Sequence, residues 1–243
     1  MKITQAFIFA AGRGERMRPL TDSVPKPLVK IKNKAIIDYL IEKLNRVPSI
    51  KKIIINGFYL AEQIEGHIKH LDNSKIIFSH EVEKVETGGG LLFARDKIDF
   101  NQPLLTMNGD VLWQEKDGVS DIDLMCDMWK SADCDMLLGL KKKEEYFGYD
   151  GNGDFNFDAE TLAIKRFADS KMSHVFTGLQ IINPKILDVI FQKCFSISHF
   201  YKVAESSNGI LKNVKGVALG GEYFHIGTVG AVGVTESLMD RIS

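Results

Sequence analysis

Cysteine is scarce in this chain. Cys126, Cys134 and Cys194 are the three in 243 residues, and no two of them form a C-x-x-C pair or any metal-ligating spacing. That excludes a disulfide-stapled scaffold and a cysteine-built zinc site, and it reads as inert thiols in a reducing compartment. Long apolar runs are missing too. With no stretch of about 18 apolar residues, no membrane-spanning helix is expected. The apolar run near the N-terminus is too short for the core of a signal peptide. Charge bias is absent, since 31 Lys/Arg against 32 Asp/Glu leave a net charge of −1, which gives no footprint for general nucleic-acid binding. The dipeptide Gly-Lys occurs nowhere, so there is no P-loop. These absences leave the expectation of a soluble cytoplasmic protein. At 44% apolar it is long enough for one large α/β domain, or a domain with a small annex.

Charge that is balanced overall is concentrated locally. From Ala11 to Lys34 there are seven Lys/Arg against two Asp/Glu. The stretch begins with an apolar run, Phe7 to Ala11, read as a buried strand. It opens into a loop with Gly12 and Gly14, which can take backbone angles barred to other residues. Arg13, Arg16 and Arg18 follow. Pro25 and Pro27 then hold the backbone around Lys26 extended. A glycine loop after a strand lets N–H groups approach an anion, and the cations add charge. The chemistry points to a polyanionic small molecule, most simply a nucleoside triphosphate. A dinucleotide cofactor is disfavoured, because the third glycine position of that fingerprint holds Met17.

The rest of the chain alternates strand and helix. Ile36, Ile37, Leu40, Ile41 and Leu44 recur at helical spacing, as do Leu60, Ile64, Ile68 and Leu71. Lys52–Asn56, Ile76–Phe78, Leu104–Met107, Met136–Leu140, Val175–Ile182 and Val214–Leu219 read as strands. Glu86-Thr87-Gly88-Gly89-Gly90 is expected to precede a helix over 91–95 and to offer free N–H donors. Ser120 with Asp123 caps a helix to about Ala132. Asn183-Pro184 starts another. Helix and loop are expected over 195–208, and a helix at the C-terminus. Phe147-Gly148-Tyr149 suggests a turn. Asp150, Asn152 and Asp154 lack the sixth-position Gly and twelfth-position Glu of a calcium loop, so they are read as solvated turns. This alternation predicts an α/β fold with a Rossmann-like, mostly parallel sheet in three layers, whose ligands gather at the carboxyl ends of the strands.

The opening stretch as a whole resembles the signature of the sugar-1-phosphate nucleotidyltransferases, AAGxGxRxxPLT followed by PKPL. Ala10, Ala11, Gly12, Gly14, Arg16, Pro19, Leu20, Thr21, Pro25, Lys26, Pro27 and Leu28 all fall on it. The ETGGG segment is similar to the N-acetylmuramate-1-phosphate uridylyltransferase branch. The resemblance implies a single nucleotidyltransferase domain over 1–243, with a nucleotide-binding core over 1–141 and a sugar-binding part with the C-terminal helix over 142–243. No β-helix extension is expected.

It also implies substrates and site residues. The substrates would be an NTP and a sugar 1-phosphate, giving an NDP-sugar and pyrophosphate. UTP with N-acetylmuramate 1-phosphate is the first reading. GTP with mannose 1-phosphate is the second, and a non-catalytic sugar-nucleotide sensor is a third. Arg16, Lys26 and Asp110 would carry catalysis. Ala10, Ala11, Gly12, Gly14, Glu86 and Gly88 would join Arg16 and Lys26 around the nucleotide, with Gly88 reading the base. Asn108, Gly148, Thr177 and Gly178 would face the sugar. The Glu-Lys-Pro motif of many relatives is missing, leaving Lys165 and Arg166 as loose substitutes. Asp110 would hold Mg²⁺, with Mn²⁺ the alternative. Position 225, a second metal-ligating Asp in relatives, is His225 here, and imidazole is a poor ligand for a hard cation. No nucleic acid or membrane partner is implied, and the expected state is a monomer or small homo-oligomer.

Overall fold

Phe7 and Ile8 are sequence neighbours that face opposite sides of one sheet, each against its own apolar layer. They belong to β1 (Gln5–Phe9) in a computed structural model that describes residues 2–166, 171–204 and 210–242, the backbone alone at 210–212 and 241–242. The same alternation splits the next strands. In β4 (Lys52–Gly57), Ile53 and Ile55 face one layer and Ile54 the other. In β6 (Leu104–Asn108), Leu105 and Met107 are divided from Leu104 in the same way. Side chains two apart share a face, so a strand covered on both sides reads as an unbroken apolar run.

The elements follow in chain order. A short hairpin, β2 (Lys30–Ile31) and β3 (Lys34–Ala35), leads into α1 (Ile36–Asn45). Then come β4, α2 (Ala61–His70), β5 (Ile76–His80), α3 (Glu86–Phe93) and β6. β7 (Val111–Gln114), α4 (Asp121–Trp129), β8 (Met136–Lys142) and β9 (Tyr146–Phe147) succeed these. The chain closes with β10 (Asn156–Phe157), β11 (Ala163–Lys165), β12 (His174–Ile182), α5 (His199–Ala204), β13 (Ile210–Ala218), β14 (Glu222–His225) and α6 (Val229–Ile242). Among the described residues the main sheet has nine strands in the order β10-β11-β13-β8-β12-β6-β1-β4-β5. The β6-β1-β4-β5 half is parallel throughout, and β12 runs against both β6 and β8. Helices α1, α2 and α4 cover one face, while α3 and α5 cover the other. The expected three-layer α/β architecture is what forms. No helix among the described residues is long and apolar enough to cross a membrane.

A second sheet of three strands, β7-β14-β9, matters more for the site. β14 pairs antiparallel with β7, His225 opposite Val111, and parallel with β9. The N–H of Ile226 donates to the carbonyl of Asp110 at 2.9 Å. Two segments far apart in sequence are thereby fixed side by side.

Several expectations shift. The first strand runs from Gln5 to Phe9 rather than from Phe7 to Ala11. Polar Gln5 lies inside it because its amide bonds the carbonyls of Asp99 and Gln102 and the N–H of Asp99, partners that apolar patterning cannot see. The three glycines of ETGGG do not precede a helix but form the body of α3. A Cβ on Gly88 would lie 2.2 Å from the Phe195 ring, and one on Gly89 would lie 2.4 Å from the Lys193 carbonyl. Their lack of side chains is what lets the 193–195 strand of backbone lie against the helix. The helix expected at Pro184 is a six-residue 3₁₀ segment, Pro184–Val189, capped by the side chain of Asn183. Over 195–208 a short helix forms at His199–Ala204, and 205–208 lie outside the described residues.

Candidate active site

β1 delivers the loop from Ala10 to Gly14 to the carboxyl end of the parallel strands, where ligands of such sheets collect. Gly14 sits at φ 65°, and a Cβ there would come 3.0 Å from Thr21 and 3.1 Å from Lys26. Its carbonyl accepts from the Thr21 hydroxyl at 2.8 Å and the Met17 N–H at 2.8 Å. Met17 is fully buried, so the residue that breaks the dinucleotide pattern is an apolar plug anchoring the loop. Lys26 opens a one-turn 3₁₀ helix between its two prolines.

Lys26 Nζ lies 2.7 Å from Oδ2 of Asp110, and His225 Nε2 lies 3.5 Å from the same oxygen. Burial alone would push the Asp110 carboxyl up. The His225 imidazole and the Lys26 ammonium overcome that and hold it well below the usual carboxylate range. Of the three loop arginines, Arg13 stacks on Tyr59 with its guanidinium 5.9 Å from the ring centre, and Arg18 pairs with Asp22 at 3.1 Å. Arg16 has no ion-pair partner among the described residues. It stands exposed with its guanidinium 3.1 Å from where a Cβ on Gly227 would be, next to His225.

Two cavities meet at Asp110; Lys26 lines the first, His225 the second, and Arg16 neither. The first, about 270 Å³, is lined by Ala10, Ala11, Gly12, Gly14, Lys26, Glu86, Asn108 and Asp110, all expected, and by Asn56, Glu81, Lys84 and Thr87, which were not. Asn56, next to last in β4, has its amide fixed at both ends. Its Oδ1 accepts from the Ala10 N–H at 2.7 Å and its Nδ2 donates to Glu81 Oε1 at 2.6 Å. Glu81 is 2% exposed. Burial pushes its carboxyl up to about 7 against the opposing Asn56 bond. Glu86 lines the cavity from a left-handed backbone conformation, φ 60°, uncommon for a side-chain-bearing residue.

The second cavity, about 140 Å³, shares Asn108 and Asp110 with the first and is otherwise lined by Val111, Tyr146, Tyr149, Asp154, Val175, Phe176 and His225. Tyr146 and Tyr149 are stacked, ring centres 6.0 Å apart. Asp154 accepts from the Phe176 N–H at 2.9 Å, and burial raises its carboxyl above the usual range.

Some expected residues play other parts. Gly88 cannot offer a free N–H to a base, because Gly88 and Gly89 both donate to the Phe195 carbonyl, at 2.9 and 3.1 Å. Thr177 is fully buried and its hydroxyl donates to the Gly139 carbonyl at 2.9 Å. Gly178, at φ 85°, packs on Asn108, and neither Thr177 nor Gly178 lines either cavity. Gly148, at φ 79°, would put a Cβ 2.6 Å from the His225 carbonyl, so it admits β14 rather than a ligand. Asp154 is not the solvated turn residue that its surroundings suggested, although Asp150 is exposed as expected. Lys165 lies exposed on β11. Asn56 and Glu81 could have been found as polar residues at the carboxyl ends of buried parallel strands, where ligands of such sheets gather. Tyr149 and Asp154 left no such signal.

For a divalent cation the protein offers one carboxylate and one imidazole. Among the described residues no cluster of three or more His, Cys, Asp or Glu exists. Asp110 suits Mg²⁺, which keeps several waters and is held through one or two carboxylates and substrate phosphates. His225 suits a softer ion.

The pattern of the nucleotidyl transferase family matches residues 5–190. An N-acetylmuramate alpha-1-phosphate uridylyltransferase of Caulobacter vibrioides is 30% identical over 227 residues, covering 91% of each chain. A mannose-1-phosphate guanyltransferase beta-B of Xenopus laevis is 30% identical over 194 residues, covering 76% of this chain and 51% of that protein, so the likeness spans about half its length. A solved UDP-glucose pyrophosphorylase in complex with UDP-glucose superposes with a TM-score of 0.76 at 16% identity, covering 99% of this chain and all of that one, a likeness of fold.

Proposed function

This chain belongs to the nucleotidyl transferase family as a sugar-phosphate nucleotidyltransferase, and we propose that its reaction joins the uridylyl group of UTP to N-acetylmuramate 1-phosphate. The observation that carries the reading is the meeting of the two cavities at Asn108 and Asp110. One is walled by the cationic glycine loop and suits a triphosphate. The other is walled by aromatic rings and a carboxylate and suits a sugar. A phosphate joining the two substrates would lie at the junction, within reach of Lys26.

The chemistry needs no protein nucleophile. An oxygen of the sugar phosphate attacks the α-phosphorus in line. The new P–O bond forms as the bond to the bridging oxygen of the β-phosphate breaks, and pyrophosphate leaves with that electron pair. Catalysis is then positioning and charge neutralisation. Lys26, drawn to Asp110 at rest, would turn to the α-phosphate as charge builds there. Arg16, which has no ion-pair partner among the described residues, would take the β- and γ-phosphates. Asp110 would hold Mg²⁺, which when bound would supply positive charge against the phosphates. Glu81, oriented by Asn56, would accept from a base N–H such as uracil N3–H. The nearly end-to-end likeness to a uridylyltransferase supports uracil, and the sugar product would feed cell-wall peptidoglycan recycling. The second reading, GTP with mannose 1-phosphate, is supported by the guanyltransferase likeness.

The test is pyrophosphate release from the four NTPs against a panel of sugar 1-phosphates with Mg²⁺ and Mn²⁺. UTP with N-acetylmuramate 1-phosphate should turn over fastest. Faster turnover of GTP with mannose 1-phosphate would establish the second reading. No release with any pair would leave a sugar-nucleotide sensor.

A further inference from the structure

Charge in the second cavity is unevenly matched. Asp110 is answered by Lys26 and His225. Asp154 has no ion-pair partner among the described residues. Its one hydrogen bond takes the Phe176 N–H onto Oδ2, and Oδ1 is left without one. Arg166 is the cation whose field reaches it. Oδ1 is not among the buried atoms without a partner, so it is open to a donor entering the cavity. The adjoining surface suggests what supplies one. Tyr149 and Phe176 line the cavity beside Asp154. The Tyr149 hydroxyl accepts from the Gly153 N–H at 3.0 Å, which leaves its own proton to donate. Aromatic side chains next to an acceptor-only carboxylate match a pyranose, with apolar C–H groups on one side and hydroxyl donors at the edge.

Resting on the nucleotidyltransfer reading above, we propose that Asp154 is a specificity-determining residue that accepts hydroxyl protons from the pyranose of the sugar 1-phosphate, with the ring laid against Tyr149. Such a site rejects a second anionic group at the edge it reads. For N-acetylmuramate 1-phosphate it also sets the orientation. The free hydroxyls at C4 and C6 face Asp154, and the lactyl carboxylate on O3 points away from it.

The decisive variant is Asp154→Asn, which keeps an oxygen for the Phe176 N–H and removes the charge. With whichever sugar 1-phosphate the wild type turns over best, KM for the sugar phosphate should rise roughly ten- to hundredfold, while KM for the NTP stays within about twofold. The 4-deoxy and 6-deoxy forms of that sugar phosphate supply the second arm. One of them should show the same loss in the wild type and no further loss in Asp154→Asn. A merely structural role would lower the melting temperature or raise both KM values without this coupling. An unchanged sugar KM in Asp154→Asn overturns the proposal. If that variant does not fold, full retention of affinity by both deoxy compounds in the wild type overturns it. If the wild type releases no pyrophosphate with any pair, the nucleotidyltransfer reading has failed, and calorimetric titration of N-acetylmuramate 1-phosphate and mannose 1-phosphate still decides the matter. Tighter binding by wild type than by Asp154→Asn supports the Asp154 assignment, while equal or undetectable binding in both rejects it.

Discussion

Lys26 Nζ and Asp110 Oδ2 are 2.7 Å apart although 84 residues separate them in sequence. Each is drawn from a different turn at the carboxyl end of the parallel strands, and each holds the other in the cavity before any substrate arrives. Removing the ammonium in Lys26→Ala should therefore leave the fold intact and cut kcat/KM by on the order of 10²–10³. The check is steady-state kinetics beside a far-UV spectrum, and near-normal turnover would remove Lys26 from the phosphate clamp.

Glu81 should give stability an unusual pH dependence. Its carboxyl lies at about 7 in the folded chain against an ordinary 4.5. A raised acid favours the folded state where it is protonated, so its contribution is full below about 4.5 and is lost as pH rises through about 7. Between pH 4.5 and 8 the wild type should lose on the order of 3 kcal/mol relative to Glu81→Gln. Denaturant midpoints of both proteins across that range provide the comparison. Parallel curves would mean that Glu81 ionises normally.

His225 should set the metal preference. It faces Asp110 at 3.5 Å, where an oxygen ligand would serve Mg²⁺ better. His225→Asp should lower the Mg²⁺ concentration giving half-maximal rate, and the wild type should favour Mn²⁺. Initial rates titrated with both ions read this directly. The same metal dependence in the two proteins would mean that the imidazole only packs.

Gly89 should tolerate no side chain. A Cβ would approach the Lys193 carbonyl to 2.4 Å and Val85 Cβ to 2.8 Å, and a backbone oxygen cannot swing aside as a side chain can. Gly89→Ala should cost about 1–3 kcal/mol, a fall of several degrees in Tm for a domain of this size. A melting curve superposable on the wild type would show that α3 sits more loosely against the 193–195 segment.

The sequence by itself determined the parts of this protein whose physics is local. Apolar runs at strand period and apolar faces at helical spacing marked the sheet and the amphipathic helices α1 and α2. The dense run from Ala10 to Leu28 marked the glycine loop that lines the first cavity, because glycines, prolines and cations close together in sequence also lie close together in space. Asp110, just past β6, was legible through the family resemblance, because a lone Asp after a strand more often only shapes a turn or caps a helix. Only the tertiary structure decided the rest. Gly88 was read as a donor to a base, but its N–H is taken by Phe195, more than a hundred residues away. Thr177 looked open to a sugar, yet its hydroxyl is spent on the Gly139 carbonyl of the neighbouring strand. Asp154 looked like a solvated turn until β12 laid Phe176 over it. In each case the deciding partner is distant in sequence and is supplied by strand pairing and packing, so no pattern within a short window could reveal it.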